Sequence, residues 1–358
     1  MPSTRIRALD TFRGLMLVIM TVDHLDMFGP VYRLTYETTG FVSAAEGFVL
    51  LSGIVAGLVY AALAGNPEML RQRAWTRVLT IWQVHLLVVA GLLGYFILYA
   101  SERPDGGLPS AFLNVLGGAV LLNQEPPLDI LPLYIIFVAL LPVIIGGFQA
   151  GKVRLVLGVS FGLWLLDQGL TLLEGYPVHL MFNVGQIPVH WQPNHFHILA
   201  WQFLFVGGVW CGWRASRRGG DAGIAWRWPW VMAILVGLAV CFALRHGIGV
   251  PELSRSHHAV GRVNVGWLRL LNVALVAALA TWLAGRWPRL AHWPWLEFLG
   301  RHSLQVFAWQ SLLQMFLRPV YLEAVMRWGL GARVVLLTLA VVSLSIPAWM
   351  HQAHRRRL

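Results

Sequence analysis

The sequence predicts an all-α, polytopic integral membrane protein with about ten transmembrane helices and with both termini in the cytoplasm. Of its 358 residues, 57% are hydrophobic and only 12% are charged, which is about half the charged fraction of an ordinary soluble domain. The charge is basic, with 27 Lys+Arg against 16 Asp+Glu, and it falls in short clusters between long apolar runs. That pattern is typical of loops at an anionic membrane surface. It favours the lipid bilayer as a partner and argues against nucleic acid.

Apolar runs of about 20 residues are the units that cross a bilayer. The run 111–123 is too short to cross and is predicted to be an interfacial or re-entrant helix. No internal repeat or soluble segment interrupts the pattern, so residues 1–358 are interpreted as a single membrane domain. The predicted spans are 12–29, 41–64, 78–100, 130–149, 155–174, 197–213, 229–246, 267–284, 303–320 and 332–350.

The placement of the arginines predicts the orientation. Connections that are rich in cations alternate with poorer ones along the whole chain, and the richer ones are assigned to the cytoplasm. The Pro-, Gly- and Asn-rich loops 101–129 and 175–196 then lie on the outer side. The cytoplasmic segments hold Arg5 and Arg7, Arg71, Arg73 and Arg77, Lys152 and Arg154, Arg214, Arg217 and Arg218, Arg286 and Arg289, and Arg355, Arg356 and Arg357.

The first predicted span is unusually polar, because the stretch LDTFRGLMLVIMTVDH contains Arg13, Asp23 and His24. Arg13 and His24 are eleven positions apart, which is about 1100° around a helix, or three turns plus roughly 20°. They therefore share one face and lie about 16 Å apart along the axis. Such a face suits an anionic ligand that is bound at one end and reacts at the other. The alternative interpretation keeps Arg13 as a topological anchor and Asp23–His24 as the outer end of the helix.

A carboxylate, Glu46, lies near the start of the second span in AAEGFVLLSGIVAGLVY. A carboxylate inside a membrane needs a partner, and the adjacent first span offers His24 or Arg13. Glu46 is interpreted either as half of a structural pair or as the group that orients His24. The small residues around it, including Gly53 and Gly57, predict close packing between helices.

A basic cluster, Arg71, Arg73 and Arg77, precedes the third span, which holds His85 about two turns after Arg77. Such a cluster either binds phosphates or only fixes the topology. In the first interpretation, the three arginines and His85 form a binding site for an anionic cofactor.

The outward segment GQIPVHWQPNHFHILAWQ carries Asn194, His197, Trp201 and Gln202. Aromatic rings beside amides and imidazoles are typical of a sugar-binding surface, whereas anchoring at the lipid headgroups explains the tryptophans equally well. The histidine spacing does not predict a zinc site, because no third ligand follows at a recognisable distance. No metal is therefore expected.

Five stretches of the chain, taken in order, resemble one protein family. They are LDTFRG…DH, AAEGFVLLSGIVAGLVY, LDILPLYIIFVALLP, PNHFHILAWQFLFVGG and LGRHSLQVFAWQ. The family is OpgC, which succinylates osmoregulated periplasmic glucans and is related to acyltransferase-3-type membrane acyltransferases. The resemblance extends over nearly the whole chain. One departure is the pair His195 and His197, since the family more often has an apolar residue at one of these positions.

The resemblance implies a multi-pass O-acyltransferase of the bacterial inner membrane. It implies transfer of an acyl group, with succinyl as the family default, from cytoplasmic acyl-CoA to a hydroxyl of a periplasmic glucan. His24 is expected to be the catalytic base, oriented by Asp23 or Glu46. Acyl-CoA is expected as a donor substrate and not as a permanently bound cofactor, contacted by Arg13 together with the basic cluster and His85. The expected acceptor-side residues are Asp129, Asn194, His197, Trp201 and Gln202.

A rival function from another class is a transporter or flippase for a glycan or a lipid-linked sugar. The intramembrane arginine, histidine and glutamate residues would then bind substrate or protons. The sequence shows no inverted repeat and no matched pair of Gly/Pro-broken helices, which many such transporters have. The acyltransferase interpretation is therefore preferred.

Overall fold

Helices form nearly all of the regular structure, and the sequence periodicity explains most of them. The computed structural model describes residues 6–27, 29–99, 102–124, 128–173, 176, 179–193, 195–219, 226–248 and 256–356. The helices are α1 (Arg7–Leu25), α2 (Tyr32–Thr35), α3 (Ala44–Ala61), α4 (Pro67–Leu98), α5 (Gly107–Ala119), α6 (Ile130–Gln149), α7 (Val153–Leu170), α8 (Ile198–Arg217), α9 (Trp228–Arg245), α10 (His257–Val260), α11 (Trp267–Arg286), α12 (Pro294–Arg301), α13 (Ser303–Ser343) and α14 (Ser345–Arg355).

Seven helices within the described ranges are long and apolar enough to cross a membrane. They are α3, α4, α6, α7, α9, α11 and the continuous run Ser303–Arg355 formed by α13 and α14. Each of the ten predicted spans overlaps a helix, but α1 and α8 are not among the seven. Helix α1 carries four charged residues, and α8 ends in Arg214 and Arg217, so both are less apolar. The count of ten spans and the cytoplasmic location of the termini stay predictions.

The run Ser303–Arg355 consists of two limbs joined at Gly329, where φ is 62° and ψ is −137°. The limbs run antiparallel, because Trp309 Nε1 donates to Ser343 Oγ at 3.1 Å and the Nδ1 atoms of His302 and His351 lie 2.8 Å apart. Gly329 lies between the predicted spans 303–320 and 332–350. The predicted pair of spans therefore corresponds to one helical hairpin.

Asp26, at the C-terminal end of α1, contacts both limbs of this hairpin. Its Oδ1 accepts a hydrogen bond from the Tyr321 hydroxyl at 2.6 Å and lies 3.1 Å from Nε of Arg333. Its Oδ2 accepts from the backbone N–H of Val31 at 3.0 Å. One buried carboxylate thus connects α1, the following turn and the helical hairpin.

Helix α4 begins eleven residues before the predicted start of the third span at residue 78. The Asn66 side chain caps it by accepting from the backbone N–H of Met69 at 3.0 Å, and Pro67 occupies the first turn. Both features favour a helix start. The arginines that precede the predicted span therefore lie on a helix and not in a loop.

The short helix predicted at 111–123 is α5, Gly107–Ala119, which has 13 residues and is too short to span a bilayer. Trp82 Nε1 of α4 donates to the Ala119 carbonyl at 3.2 Å. The loop 175–196, which is predicted to lie on the outer side, contains an antiparallel hairpin that was not predicted, with β1 (Leu180–Val184) paired to β2 (Ile187–Trp191). Gly185 supplies the positive φ of 65° that its tight turn requires.

The predicted close packing of the second span is confirmed. A Cβ atom at Gly53 would overlap the carbonyl oxygen of Phe205, and one at Gly57 would overlap that of Val209, so α3 contacts α8 backbone to backbone. The main core, which includes Leu133, Trp201 and Phe205, extends from this contact to α1, α4, α6 and α13. These helices position the polar residues described next.

Candidate active site

Arg13 and His24 lie on the face of α1 that packs against α13. Arg13 Nη2 donates to Ser303 Oγ at 2.5 Å, and His24 Nδ1 lies 3.4 Å from the amide nitrogen of Gln310. The contacts run in the same order on both helices, so α1 and α13 are parallel here. The arginine guanidinium also lies 5.8 Å from the ring centroid of Phe48 in α3.

Two glycines bring α1 this close to its neighbours. A Cβ at Gly14 would overlap the backbone carbonyl of Leu296 in α12, and a Cβ at Gly300 would overlap the carbonyl of Asp10. Helix α12 therefore lies directly on the N-terminal half of α1. Ser303, which follows α12 closely in the chain, is thereby placed within reach of Arg13.

His24 lies in the interior of the helix bundle. Protein atoms surround it on nearly every side, yet part of its side chain remains accessible to solvent. Two cations, Arg262 and Arg318, act electrostatically on this imidazole.

Asp23 bonds to a different partner from its neighbour His24. Its Oδ1 accepts a hydrogen bond of 2.5 Å from the Thr35 hydroxyl in α2. Consecutive residues on a helix point about 100° apart and do not face each other. Asp23 therefore ties α2 to the end of α1.

Glu46 belongs to a buried network of ion pairs. Its Oε2 accepts from the backbone N–H and the hydroxyl of Ser43 at 2.9 and 2.5 Å, which forms a capping box at the start of α3. Its Oε1 accepts from Arg269 Nη1 at 2.8 Å. Arg269 also donates from Nη2 to Glu37 at 2.5 Å, and Arg245 pairs with the other Glu37 oxygen at 2.8 Å.

The sequence offered His24 or Arg13 as the partner of Glu46, whereas the structure brings Arg269 to it. Arg269 lies in the first turn of α11, 223 residues further along the chain. No local spacing pattern connects the two residues. Each carboxylate in this network meets a guanidinium, so the network is close to charge-balanced.

The three arginines of the basic cluster occupy exposed positions in the N-terminal part of α4. Arg71 pairs with Glu68 at 2.7 Å and lines an open cavity of about 390 Å³ beside Gln149, at the end of α6. His85 is fully buried and lies about 12 Å further along the helix than Arg77, from the rise per residue. Its Nε2 lies 2.9 Å from the Gly118 carbonyl of α5, so it does not join the cluster.

The predicted acceptor-side residues of α8 are buried and bonded to protein groups. Trp201 Nε1 donates to the Val263 carbonyl at 2.9 Å. Gln202 accepts from the Ser160 hydroxyl at 2.7 Å and donates to the Ser160 carbonyl at 2.8 Å. Their polar groups therefore join α8 to neighbouring segments. Asn194 lies outside the described residues.

His197 and Asp167 form a buried pair at the outer ends of α8 and α7. Their Nδ1 and Oδ2 atoms are 3.0 Å apart, and the Tyr176 hydroxyl donates to the other Asp167 oxygen at 2.5 Å. The backbone N–H of His197 also donates to the Val263 carbonyl at 3.1 Å. This predicted acceptor residue thus helps to hold the segment that contains Val263.

Asp129 is buried just before the first residue of α6 and interacts electrostatically with His195 and Arg262. Burial raises the pKa of the Asp129 carboxyl and lowers the pKa of the His195 imidazole. Desolvation therefore drives both groups toward their neutral forms.

Arg262 is a functional candidate that the sequence reasoning missed. It lies 5.3 Å from the ring centroid of Phe196. Its charge acts on Asp23, His24, Asp129 and His195, which come from three separate parts of the chain. The sequence feature that could have identified it is a lone arginine in the segment GRVNVG, which begins and ends with glycine.

The comparisons with known proteins agree with the family suggested by the sequence motifs. No curated protein and no solved structure matches the chain. The family model described as OpgC protein matches residues 5–356, which is nearly the full length of the sequence. The chain therefore belongs to the OpgC protein family.

Proposed function

We propose that the protein is a membrane O-acyltransferase that moves an acyl group from cytoplasmic acyl-CoA to a hydroxyl of a periplasmic glucan. Membership of the OpgC family supports this reaction class. The observation that carries the proposal is the shared face of Arg13 and His24, which lie about 16 Å apart along α1. Both side chains contact α13, at Ser303 and Gln310. The bacterial inner membrane is the proposed location.

In the proposed mechanism, His24 acts as a general base. Its Nε2 takes the proton from the glucan hydroxyl while the hydroxyl oxygen attacks the thioester carbonyl carbon. The new C–O bond forms as the C–S bond breaks, and the imidazolium returns its proton to the departing CoA sulfur. Base catalysis by a positioned histidine supplies about 10²–10⁴-fold in rate. Holding donor and acceptor together at this point supplies a further part.

The proposed donor contacts are Arg13 inside the bundle and the exposed arginines at the start of α4. Arg73 and Arg77 occupy exposed positions, and Arg71 forms an exposed pair with Glu68, so all three have the charge to bind CoA phosphates. His85 is left out of the donor site, because its Nε2 lies against the Gly118 carbonyl and its side chain is fully buried.

The proposed acceptor side lies at the end of α1 that carries His24, with Asp129 and His195 as the candidate contacts. The Arg262 charge acts on all three of these side chains. Three predicted acceptor residues position the site without forming its surface. The polar atoms of Trp201, Gln202 and His197 bind α7 and the segment around Val263. We therefore assign these three residues to the frame of the acceptor site and not to direct contact with the sugar.

The decisive experiment compares His24→Ala with the purified wild-type protein in lipid. We expect the wild type to release free thiol from acyl-CoA when glucan is added, and the variant to lose this activity by about 10²-fold or more. His292→Ala, at an exposed position, is the matched control and should retain full activity.

Full acyl transfer by a correctly folded His24→Ala protein would contradict the proposal. The rival function has its own readout, because a transporter should move labelled glucan into vesicles without any release of CoA thiol.

A further inference from the structure

Arg262 carries a charge that no carboxylate neutralises directly. Protein surrounds its guanidinium on nearly every side, yet part of the side chain is accessible to solvent. Its buried Nε has no hydrogen-bond partner, and within the described ranges no carboxylate oxygen lies within 4.0 Å of it. Buried cations normally have such a partner, because an uncompensated charge is costly.

The nearby carboxylates are occupied elsewhere. Asp23 accepts from Thr35, and Glu46 pairs with Arg269. Burial raises the pKa of Asp129, which favours its neutral acid form. The guanidinium of Arg262 is therefore able to attract an anion that approaches His24.

The segment that carries Arg262 is held by three hydrogen bonds from side chains of α7 and α8. Trp164 Nε1 donates to the Val265 carbonyl at 3.0 Å, Trp201 Nε1 donates to the Val263 carbonyl at 2.9 Å, and Gln168 Nε2 donates to the Asn264 carbonyl at 2.7 Å.

The backbone of the same segment adopts a conformation that is rare for its sequence. Val265 has a φ of 47°, which is unusual for a β-branched residue and costs of order 1–3 kcal/mol. Strained backbone that is fixed by several bonds is a common way of positioning one functional side chain.

We infer that Arg262 binds the free carboxylate of a dicarboxylic acyl group while the thioester end of that group reacts at His24. The Arg262 charge acts on His24, and a guanidinium matches a carboxylate with paired, charge-assisted hydrogen bonds. The inference rests on the proposed acyltransferase function and deepens it, because it names the residue that selects the donor. Ion pairing with the substrate would also supply the partner that Arg262 lacks.

Arg318 is the alternative binding residue, since its charge also acts on His24. Its Nη2 lies 3.7 Å from the Met27 sulfur, and it belongs to α13 and not to the braced segment. Rigid placement favours Arg262, and the experiment includes both residues.

The test compares two donors of equal chain length, succinyl-CoA and butyryl-CoA, which differ in the terminal carboxylate. Arg262→Gln should lower kcat/KM for succinyl-CoA by roughly 10²-fold or more and change kcat/KM for butyryl-CoA by less than about 3-fold. Arg262→Lys should recover part of the succinyl activity, because it keeps the charge but not the planar fork. Arg286→Gln, at the exposed end of α11, is the surface control and should leave both values unchanged.

Equal losses for both donors in Arg262→Gln would overturn the inference, as would selective loss of succinyl transfer in Arg318→Gln instead. If Arg262→Gln does not fold, the donor preferences of Arg262→Lys and of the wild type provide the test. The inference requires the wild type to prefer succinyl-CoA over butyryl-CoA. A wild type that transfers neither acyl group would contradict the proposed function itself. A wild type that uses both donors equally would contradict only the role of Arg262.

Discussion

Gln310 of α13 lies against His24 of α1, with 3.4 Å between the Gln310 amide nitrogen and His24 Nδ1. The Gln310 Oε1 atom is buried without a hydrogen-bond partner. Exchanging the positions of the amide oxygen and nitrogen would let Oε1 accept from Nδ1–H, and such exchanges are common for glutamine. His24 would then carry its lone pair on Nε2, which is the atom that the proposed mechanism requires.

The first prediction concerns this contact. Gln310→Leu should lower kcat by about 10–100-fold with little change in KM for either substrate, because it removes the group that sets the histidine tautomer. Gln310→Glu should restore part of the rate, since a carboxylate also accepts from Nδ1–H. Steady-state kinetics separate kcat from KM, and Gln314→Leu, about one turn along α13, is the control. A change confined to KM would contradict an orienting role.

The second prediction concerns the buried pair between Glu46 and Arg269. Arg269→Met leaves the buried Glu46 carboxylate without its cation and should destabilise the fold by about 3–5 kcal/mol. Glu46→Gln should cost less, because Arg269 keeps its pair with Glu37. The double variant should lose less than the sum of the two single losses, because the charges disappear together. Unfolding by denaturant in detergent measures these differences.

The exposed pair Glu68–Arg71 is the matched control for the second prediction. Removing its charges should change the free energy of unfolding by at most about 1 kcal/mol. Additive losses in the buried pair, or equal losses in both pairs, would contradict the network described here.

The third prediction concerns the contact between α1 and α12. Gly300→Ala adds a methyl group where the Asp10 carbonyl already lies, so the helices must separate and the Tm should fall by several degrees. Gly285→Ala is the control, because nothing lies within 4 Å of a Cβ there. Alanine at that helical site should be neutral or slightly stabilising. An unchanged Tm for Gly300→Ala would show that this close approach is absent.

The fourth prediction concerns Trp201, whose indole braces the segment of Arg262. Trp201→Phe keeps an aromatic ring but removes one of the two hydrogen bonds to the Val263 carbonyl, at a cost of about 0.5–1.5 kcal/mol in stability. Succinyl transfer should fall more than butyryl transfer, since the loosened segment carries Arg262. Trp210→Phe in the same helix is the control and should affect both donors alike. An unaltered preference between succinyl-CoA and butyryl-CoA would contradict the role of Trp201 in positioning Arg262.

The sequence predicted the helices well, because a stretch of apolar residues long enough to cross a bilayer leaves little choice of backbone structure. The span predicted at 130–149 coincides with α6, Ile130–Gln149. The sequence prediction was wrong where features other than a run of apolar residues determine the secondary structure. The cap at Asn66 extends α4 beyond its apolar run, and the β-hairpin depends on a two-residue turn at Gly185 that hydropathy does not detect.

Only part of the candidate site could be predicted from the sequence, because several of its contacts join residues that are far apart along the chain. The shared face of Arg13 and His24 follows from helical periodicity within one segment. The contacts from Arg269 to Glu46 and from Gln310 to His24 join residues 223 and 286 positions apart. Arg262 was missed because its importance comes from the surrounding fold, and its loop position gave only a topological signal.

The helical hairpin that turns at Gly329 has a consequence for how the chain is assembled in the membrane. A run of 53 residues would measure about 80 Å as one straight helix, far beyond a bilayer core of about 30 Å. Because a single glycine forms the turn, no further loop residues separate the two limbs of the hairpin. An added residue at the turn would rotate one limb by about 100° relative to the other. Asp26 could then no longer hold Tyr321 and Arg333 together, so the final two limbs must insert as one unit in a fixed rotational register.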